Sequence, residues 1–560
     1  MLFKPAAWRQ YGQDFLRDDL LAALVVSVLL IPQSIAYAML AGLPPQVGLY
    51  ASLLPLLMYA ALGSSPHLGL GPVAVLALMI AQTIGQAPAG VSPGEAALVL
   101  AAEVGLILAA AAALRLDALA SLLSVPVLHG FETGATLSIA LGQLPMLLGS
   151  PAKGSELPAL LASAADSGWR WHGLSALYGL AALALLLLAR QGLTPLLRRW
   201  LAPARAAMLA RLAPLLILLG AMACSWAADA LSSGVALVGR LPPLQLAPSL
   251  PRLDAQLWLA LLPGALLVAL VGYVSSLVVA ESLARRVGQR IDARAELRGL
   301  AGANIAAALT GGMPVAASFS RSVLMYDAGS RTRMTGAFIA VLMGLAMIAL
   351  AEPLALLPKA VLAATITVAV LSGLKLAPYR EAWRYARPEG LLMLVVTLLM
   401  LVWGAGAALG LGVLGSIALL LQRTASPHVA LIGRVPGTEH YRNVDRHAVE
   451  CRPGVLGLRI DESLLFTNAR SLTEVVQSYL NQQTQTTERV VLQMSPVNGI
   501  DFSGLEALRE LHETLRRQGI RLDLSEVKGP VLDRLRAGGW QEWFRGQVFL
   551  SHHQGMEAAG

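Results

Sequence analysis

Between about residue 20 and residue 421 the chain repeats one pattern. Apolar stretches of roughly 20 residues, each able to cross a bilayer, alternate with short segments rich in arginine, glycine and proline. The pattern predicts helical spans near 20–41, 46–63, 72–86, 95–114, 126–148, 172–190, 207–232, 258–283, 292–309, 316–329, 334–351, 357–373, 389–404 and 406–422. The third and the tenth are too short to cross alone. The third opens on Leu70-Gly71-Pro72-Val73-Ala74-Val75 and the tenth on Ala317-Ser318-Phe319-Ser320-Arg321-Ser322. After Arg423 the pattern changes. Val455-Leu456-Gly457-Leu458-Arg459-Ile460 and Val490-Val491-Leu492-Gln493-Met494 read as strands, and Leu505, Leu508, Leu511 and Leu515 carry helical spacing. Strands alternating with helices predict a small α/β domain. The expected division is a short N-terminal surface segment over 1–19, a membrane domain over 20–423, a linker over 424–436, the α/β domain over 437–552 and a polar, disordered tail over 553–560.

Composition agrees with a multi-span protein: 56% of residues are hydrophobic, 14% are charged, and the mean hydropathy is +0.63. The formal charge of +8 does not point to nucleic acid, because the basic residues gather in loops between spans. Arg190, Arg198, Arg199, Arg205 and Arg211 follow the sixth span. Arg285, Arg286, Arg290, Arg294 and Arg298 follow the eighth, and Lys375, Arg380, Arg384 and Arg387 the twelfth. Each loop follows an even number of spans, so each lies on the side of the N-terminus, and basic loops mark the cytoplasm. Fourteen spans return the C-terminal domain to that side. Residues 1–19 carry Arg9, Asp14, Arg17, Asp18 and Asp19 and lack a secretory-signal pattern. Cys224 and Cys451 fall in different domains, which argues against a disulfide framework. No nucleotide-binding loop or catalytic metal cluster is visible, so neither an enzyme activity nor a cofactor is expected.

The two short spans carry the chemistry. A charge inside a membrane domain is costly and usually faces a cavity or a partner. Two interrupted spans at corresponding places in two halves point to a transporter's binding site. Helix N-termini offer unpaired N–H groups and a partial positive charge. Gly71 permits close approach, and Pro72 suits a first helical turn. Ser318 and Ser320 can cap a helix or donate to an oxyanion, and Arg321 adds a fixed charge with a planar fork of donors. Gln33 and Tyr37 share one face of the first span. These residues, with Phe319 and Val73, form the candidate anion site. Structural capping by the serines, packing by Tyr37, an interhelical hydrogen bond by Gln33, and pairing of Arg321 with an acidic residue or its holding of carbonyls are the competing readings. An interhelical hydrogen bond also accounts for Asn304.

Leu30-Ile31-Pro32-Gln33-Ser34-Ile35-Ala36-Tyr37-Ala38, Ala41-Gly42-Leu43-Pro44-Pro45 and Gly48-Leu49-Tyr50 resemble the signature of the SulP family of sulfate permeases and related anion transporters. Gly71-Pro72, Ser318 to Arg321, Ala328-Gly329-Ser330-Arg331-Thr332 and Leu357-Pro358-Lys359-Ala360-Val361-Leu362 resemble further family motifs in family order. The resemblance implies a polytopic α-helical membrane protein of 14 spans as 7+7 inverted repeats, divided into core and gate like the uracil transporters. It also implies a homodimer and a cytoplasmic STAS domain. Ser320 and Arg321 match the family's substrate-site pair, and Val73 matches the adjacent position on the third span. The implied function is secondary transport of sulfate or a related inorganic anion across the inner membrane by alternating access.

The chain departs from the family in the eighth span. Ser275, in Gly272-Tyr273-Val274-Ser275-Ser276, stands where many members carry a carboxylate, and Val279 stands where sodium-dependent relatives carry a hydroxyl. Sodium coupling there is not expected, since a hard cation wants several oxygen ligands. Glu132, with His129, is the candidate for sensing a co-transported proton; Glu281 reads as a surface partner of Arg285. In the last domain, Asn498-Gly499-Ile500-Asp501-Phe502-Ser503-Gly504 resembles the STAS loop whose serine is phosphorylated in anti-sigma-factor antagonists. Ser503 is thus a regulatory candidate for a cytoplasmic partner, with helix capping as the alternative, and Asp501 is expected to fix the loop. A bicarbonate or dicarboxylate carrier on the same fold, and a membrane-anchored STAS scaffold, stay open. A nucleobase carrier is disfavoured, because it expects acidic residues where Ser275 and Arg321 stand.

Overall fold

The structure is a computed structural model and describes residues 11, 14–116, 124–152, 154, 156–168, 170–200, 202–239, 249–349, 351–425 and 428–558. The chain divides into two compact units, Met1–Ser416 and Ile417–Gly560.

The helices of the first unit follow the predicted span order. The first span is Leu16–Leu40 and the fourth Pro93–Ala113. The eighth is Ala255–Arg286 and the ninth Ala293–Leu309. The third and tenth are short, at Ala74–Ile84 and Phe319–Asp327. The second breaks into Pro45–Tyr50 and Leu54–Leu62. Gly48 lies there because an added Cβ would fall 1.9 Å from the Ser34 carbonyl oxygen. Spans thirteen and fourteen form one helical run, Arg387–Ala425, broken at Gly404 with φ 80°. The run folds back on itself, since a Cβ at Gly415 would meet the Leu392 side chain. Among the short helices that were not expected are Leu157–Asp166 and the amphipathic Ala377–Tyr385.

Most of the predicted surface segment 1–19 lies outside the described residues, but the boundary at 19/20 falls inside the first span. Asp19 is fully buried. Its carboxylate accepts from the Arg331 N–H at 2.7 Å, the Thr332 N–H at 3.1 Å and hydroxyl, and the Thr335 hydroxyl at 2.9 Å. A carboxylate among orphan donors at a helix start is electrostatically favourable. Here it ties the first span to the entry of the eleventh, Met334–Ala349, and gives the Ala328-to-Thr332 motif a structural task.

Two short strands, β1 (Leu70–Gly71) and β2 (Ala316–Ala317), belong to the first unit. The described residues of the second unit form β3 (Val429–Arg434), β4 (Tyr441–Asn443), β5 (Val455–Ile460), β6 (Arg489–Gln493), β7 (Arg521–Ser525) and β8 (Val548–Phe549), in the sheet order β4-β3-β5-β6-β7-β8. From β5 to β8 neighbouring strands are parallel, with β3 antiparallel to β5. Helices Ser471–Asn481, Phe502–Arg517 and Gly529–Ala537 supply the rest of a core that includes Leu458, Leu492, Leu508 and Leu511.

Both outer boundaries of this domain need correction. The expected linker 424–436 contains β3, which is a sheet strand. The expected disordered tail begins with a helix, His552–Glu557, capped by Ser551; residues 559–560 lie outside the described set. The tail orders because it inserts a side chain. His552 is buried, its Nδ1 lies 2.8 Å from the Ser525 hydroxyl, and its N–H donates to Glu526 at 3.0 Å. Arg489 donates to the Gly555 carbonyl at 2.7 Å.

Burial holds the His552 imidazole neutral and brings its pKa down to about 4, with Glu526 opposing the shift. The unfolded chain binds this proton near pH 6.5. The stabilisation is therefore complete above about pH 6.5 and lost as the pH falls towards 4, by about 3 kcal/mol in all. Hydrogen-exchange protection factors across 552–557, corrected for the intrinsic pH dependence of amide exchange, are expected to fall between pH 7 and pH 5 in the wild type. The fall should flatten in His552→Asn.

Candidate functional site

The two short spans begin at a shared crossing. Strand β1 (Leu70–Gly71) pairs antiparallel with β2 (Ala316–Ala317), Leu70 opposite Ala317 and Gly71 opposite Ala316. The Ser318 N–H donates to the Gly69 carbonyl at 3.1 Å, and the Gly69 N–H to the Ser322 hydroxyl at 2.9 Å. Val73 and Ser318, both extended, stand at the N-caps of the third and tenth spans. Neither helix start receives a side-chain cap. The unpaired N–H groups of both therefore remain to face whatever occupies the space at the crossing.

Arg321 lies in the first turn of the tenth span and is 4% exposed. Its two terminal nitrogens donate to the Leu70 and Pro72 carbonyls, each at 2.8 Å. The Nε has no partner among the described residues. The guanidinium so reaches from one half of the repeat to grip the entry of the other. Glycine is needed on both sides of Leu70: a Cβ at Gly69 would lie 2.8 Å from the Arg321 Cγ. One at Gly71, φ +146°, would lie 2.5 Å from a terminal nitrogen. The carbonyl-holding reading of Arg321 is thus correct, and it leaves the charge in place. No carboxylate pairs with Arg321 among the described residues.

Cations are favourable at helix C-termini and unfavourable at N-termini. A buried arginine in the first turn of one helix, joined to the entry of a second, is the reverse of a stabilising arrangement. A bound anion would relieve it.

The other candidates surround this point unequally. The Ser318 and Ser320 hydroxyls lie 3.2 Å apart; Ser318 is half-buried and Ser320 exposed. Phe319 is exposed, with the Lys375 ammonium 4.6 Å from its ring centroid. Tyr37 is buried and Gln33 half-buried on the first span, and Val73 is half-buried.

Three supporting residues show their partners only in three dimensions. Asn304 accepts from the Val315 N–H at 2.9 Å and donates to the Val315 carbonyl at 3.1 Å. Ser276 accepts from the Ala317 N–H at 2.9 Å. Glu296, at the start of the ninth span, holds the loop that leads into β1: Tyr59, Ser64 and Ser65 all donate to it. Glutamate at the head of a helix reads locally as a dipole effect, so no sequence signal separates Glu296 from its exposed neighbours.

Ser275 spends its hydroxyl on the Val271 carbonyl at 2.6 Å, and Val279 is buried. Glu132 is about half exposed, with its carboxylate 3.8 Å from the His129 Nδ1. Glu281 lies 3.7 Å from Arg285. In the last domain Asp501 caps the helix Phe502–Arg517, accepting from the Gly504 N–H at 2.8 Å and from the Phe466 N–H at 2.7 Å. Ser503 is exposed in the first turn and is not the cap.

Two discontinuous helices meeting around a buried, unneutralised cation within a many-span bundle define a polytopic transporter of the crossed half-helix type. The chain belongs to the sulfate permease family: the family pattern matches residues 16–397, and a STAS domain pattern matches residues 446–555. It is 35% identical over 539 residues to a probable sulfate transporter of Mycobacterium tuberculosis strain H37Rv, covering 95% of this chain and 92% of the relative. It is 30% identical to sulfate transporter 4.1, chloroplastic, of Arabidopsis thaliana, covering 95% and 79%. Among solved structures it resembles the murine Solute Carrier 26 family member A9 anion transporter in the inward-facing state. That match has a TM-score of 0.84 at 22% identity and covers 97% of this chain and 91% of that one. The transmembrane domain of a cyanobacterium bicarbonate transporter matches with a TM-score of 0.59 at 19% identity, covering 72% and 97%. At these identities the two structures bear on the fold alone.

Proposed function

We propose that the chain transports a small inorganic oxyanion, sulfate first, across the inner membrane by alternating access. The observation that carries this reading is the Arg321 guanidinium, buried without a carboxylate partner where two uncapped helix N-termini meet. Such a point holds positive potential in a low dielectric and binds an anion without needing a cofactor. In this reading Gly71, Val73 and Phe319 supply backbone N–H groups, and Pro72 a wall. Ser318 and Ser320 donate hydroxyls, and Gln33 and Tyr37 close the site from the first span. The sulfate-transporter relatives favour sulfate among anions of this size.

The core would move against the gate and expose the anion to each side in turn. Basic loops support cytoplasmic termini. A homodimer and a STAS domain that receives a cytoplasmic regulator at Ser503 complete the proposal. A phosphate there would sit at a helix N-terminus, where negative charge is favoured.

Radiolabelled uptake into proteoliposomes of the full chain tests the reading. Sulfate is expected to accumulate and to be displaced by unlabelled sulfate more effectively than by chloride, bicarbonate or succinate. Preferred uptake of succinate or bicarbonate would replace the substrate. No flux of any of these anions through folded protein would return the STAS scaffold to first place.

A further inference from the structure

Glu103 has no part in the site above, yet it is a buried acid at the centre of an apolar span. It is the central residue of the fourth span, Pro93–Ala113, with ten residues on either side. At about 1.5 Å per residue it lies about 15 Å from each end of the helix, at the middle of the hydrocarbon. It is 3% exposed, and neither carboxyl oxygen has a hydrogen-bond partner among the described residues.

Its surroundings offer no counter-charge. Ala101 and Ala102 pack against Ala307 and Ala308 of the ninth span and the Trp258 ring of the eighth. Gly105 lies against Ile305 and Ala301. The charged residues of the ninth span, Arg294, Glu296 and Arg298, belong to its first two turns. Arg294 reaches the Ala112 carbonyl, nine residues along from Glu103 and so about 13 Å away. Glu296 is occupied by Tyr59, Ser64 and Ser65. In the eighth span Glu281 pairs with Arg285, and Arg286 follows in the last turn. Tyr273 is the other titratable group of that helix. The third span, Ala74–Ile84, contains no titratable residue. The one other acidic residue of the fourth span, Glu95, closes a capping box with Ser92 at the far end.

An ionised carboxylate in such a place, without a partner or hydrogen bonds, would cost several kcal/mol. The same group as a neutral acid costs far less. We propose that Glu103 is a proton-binding site of the transport core: it holds a proton while the anion-loaded core encloses it and releases that proton to water when core movement hydrates it, and the emptied core, which keeps the Arg321 charge without an anion, returns with the carboxylate ionised. Resting on the transport reading above, this makes Glu103 the carrier of the coupling proton, in place of the half-exposed Glu132. One proton binds the carboxylate as the anion binds at Arg321, and both leave on the other side. The loaded core then moves one negative charge fewer.

The test uses the full chain in liposomes, with Glu103→Gln, which keeps the shape of the neutral acid and cannot ionise, and Glu132→Gln beside it. Infrared spectroscopy at pH 7 is expected to show a protonated-carboxyl stretch that Glu103→Gln removes and Glu132→Gln retains. A trapped pH dye is expected to record proton entry with sulfate in the wild type and in Glu132→Gln. In Glu103→Gln this entry should fall at least tenfold while sulfate-for-sulfate exchange persists. An infrared band unchanged in Glu103→Gln overturns the proton site. Proton entry unchanged in that variant overturns the coupling role. A band that Glu103→Gln removes, in a wild type that moves no anion, overturns the transport reading and the coupling with it, and leaves Glu103 as a proton site alone.

Discussion

Arg321→Ala is expected to abolish anion uptake, by at least a hundredfold, in protein that still reaches the membrane. Two losses combine. The positive charge at the crossing disappears, and with it the main attraction for an anion. The Leu70 and Pro72 carbonyls also lose their donor. Hydrogen bonds from a charged donor contribute about 1.5–3 kcal/mol each, and each 1.4 kcal/mol is a factor of about ten in an equilibrium constant. Loosening the entry of the third span moves its N–H groups off the anion, so affinity falls further than charge alone would give. Arg321→Lys restores the charge, but a single ammonium on a flexible stem cannot reproduce the planar two-carbonyl grip. It is expected to recover a minor part of the uptake with a raised KM. Thermal unfolding in detergent separates binding from folding. Sulfate should raise the Tm of the wild type and leave that of Arg321→Ala unchanged. Wild-type uptake by Arg321→Ala would remove the residue from the site.

The second large effect lies at a residue that touches no substrate. Glu296→Ala is expected to destabilise the membrane domain by about 4 kcal/mol or more, since each buried donor left without an acceptor costs about 1–3 kcal/mol. The Tyr59 hydroxyl donates to it at 2.8 Å, the Ser64 hydroxyl at 2.6 Å, and the Ser64 and Ser65 N–H groups at 3.0 and 2.9 Å. Tyr59, Ser65 and Glu296 are buried, so the donors freed there are cut off from water. Glu296→Gln keeps one acceptor oxygen and is expected to fall between the two. A lower Tm and reduced yield of folded protein are the measurements. The loop held by Glu296 leads directly into β1, so Glu296→Gln should also weaken sulfate binding. An unchanged Tm in Glu296→Ala would show that the loop is held from elsewhere.

The span order and the two interrupted helices were legible because lipid imposes a simple rule. Backbone groups in hydrocarbon must be satisfied within the segment, so each crossing is a helix and each helix is an apolar run. Breaks in that rule mark function, which is why the segments at Gly71 and Ser318 stand out in the sequence. The break at Gly404 was legible for the same reason, as the junction between two runs. The pattern could not reveal Leu157–Asp166 or Ala377–Tyr385, which do not cross the membrane and so escape the rule. It also misread the tail, because a short polar helix such as His552–Glu557 is ordered by the pocket that receives His552, not by its own propensity.

Site residues divide in the same way. Arg321, Ser318, Ser320 and Gly71 could be named from residue type and position, since a charge and hydroxyls in a lipid-like context need a reason to be there. Asp19, Glu296 and Glu103 could not be ranked against other acidic residues. The sequence by itself determined that this is a many-span membrane protein with two half-helices and a separate α/β domain, because hydrophobic length and period are local properties. The tertiary structure alone decided that Arg321 grips the opposite half of the repeat, that Asp19 and Glu296 are fully engaged, and that Glu103 has no partner among the described residues. Whether a charge is paired depends on groups hundreds of residues away in the chain, and only the fold brings those groups together or keeps them apart.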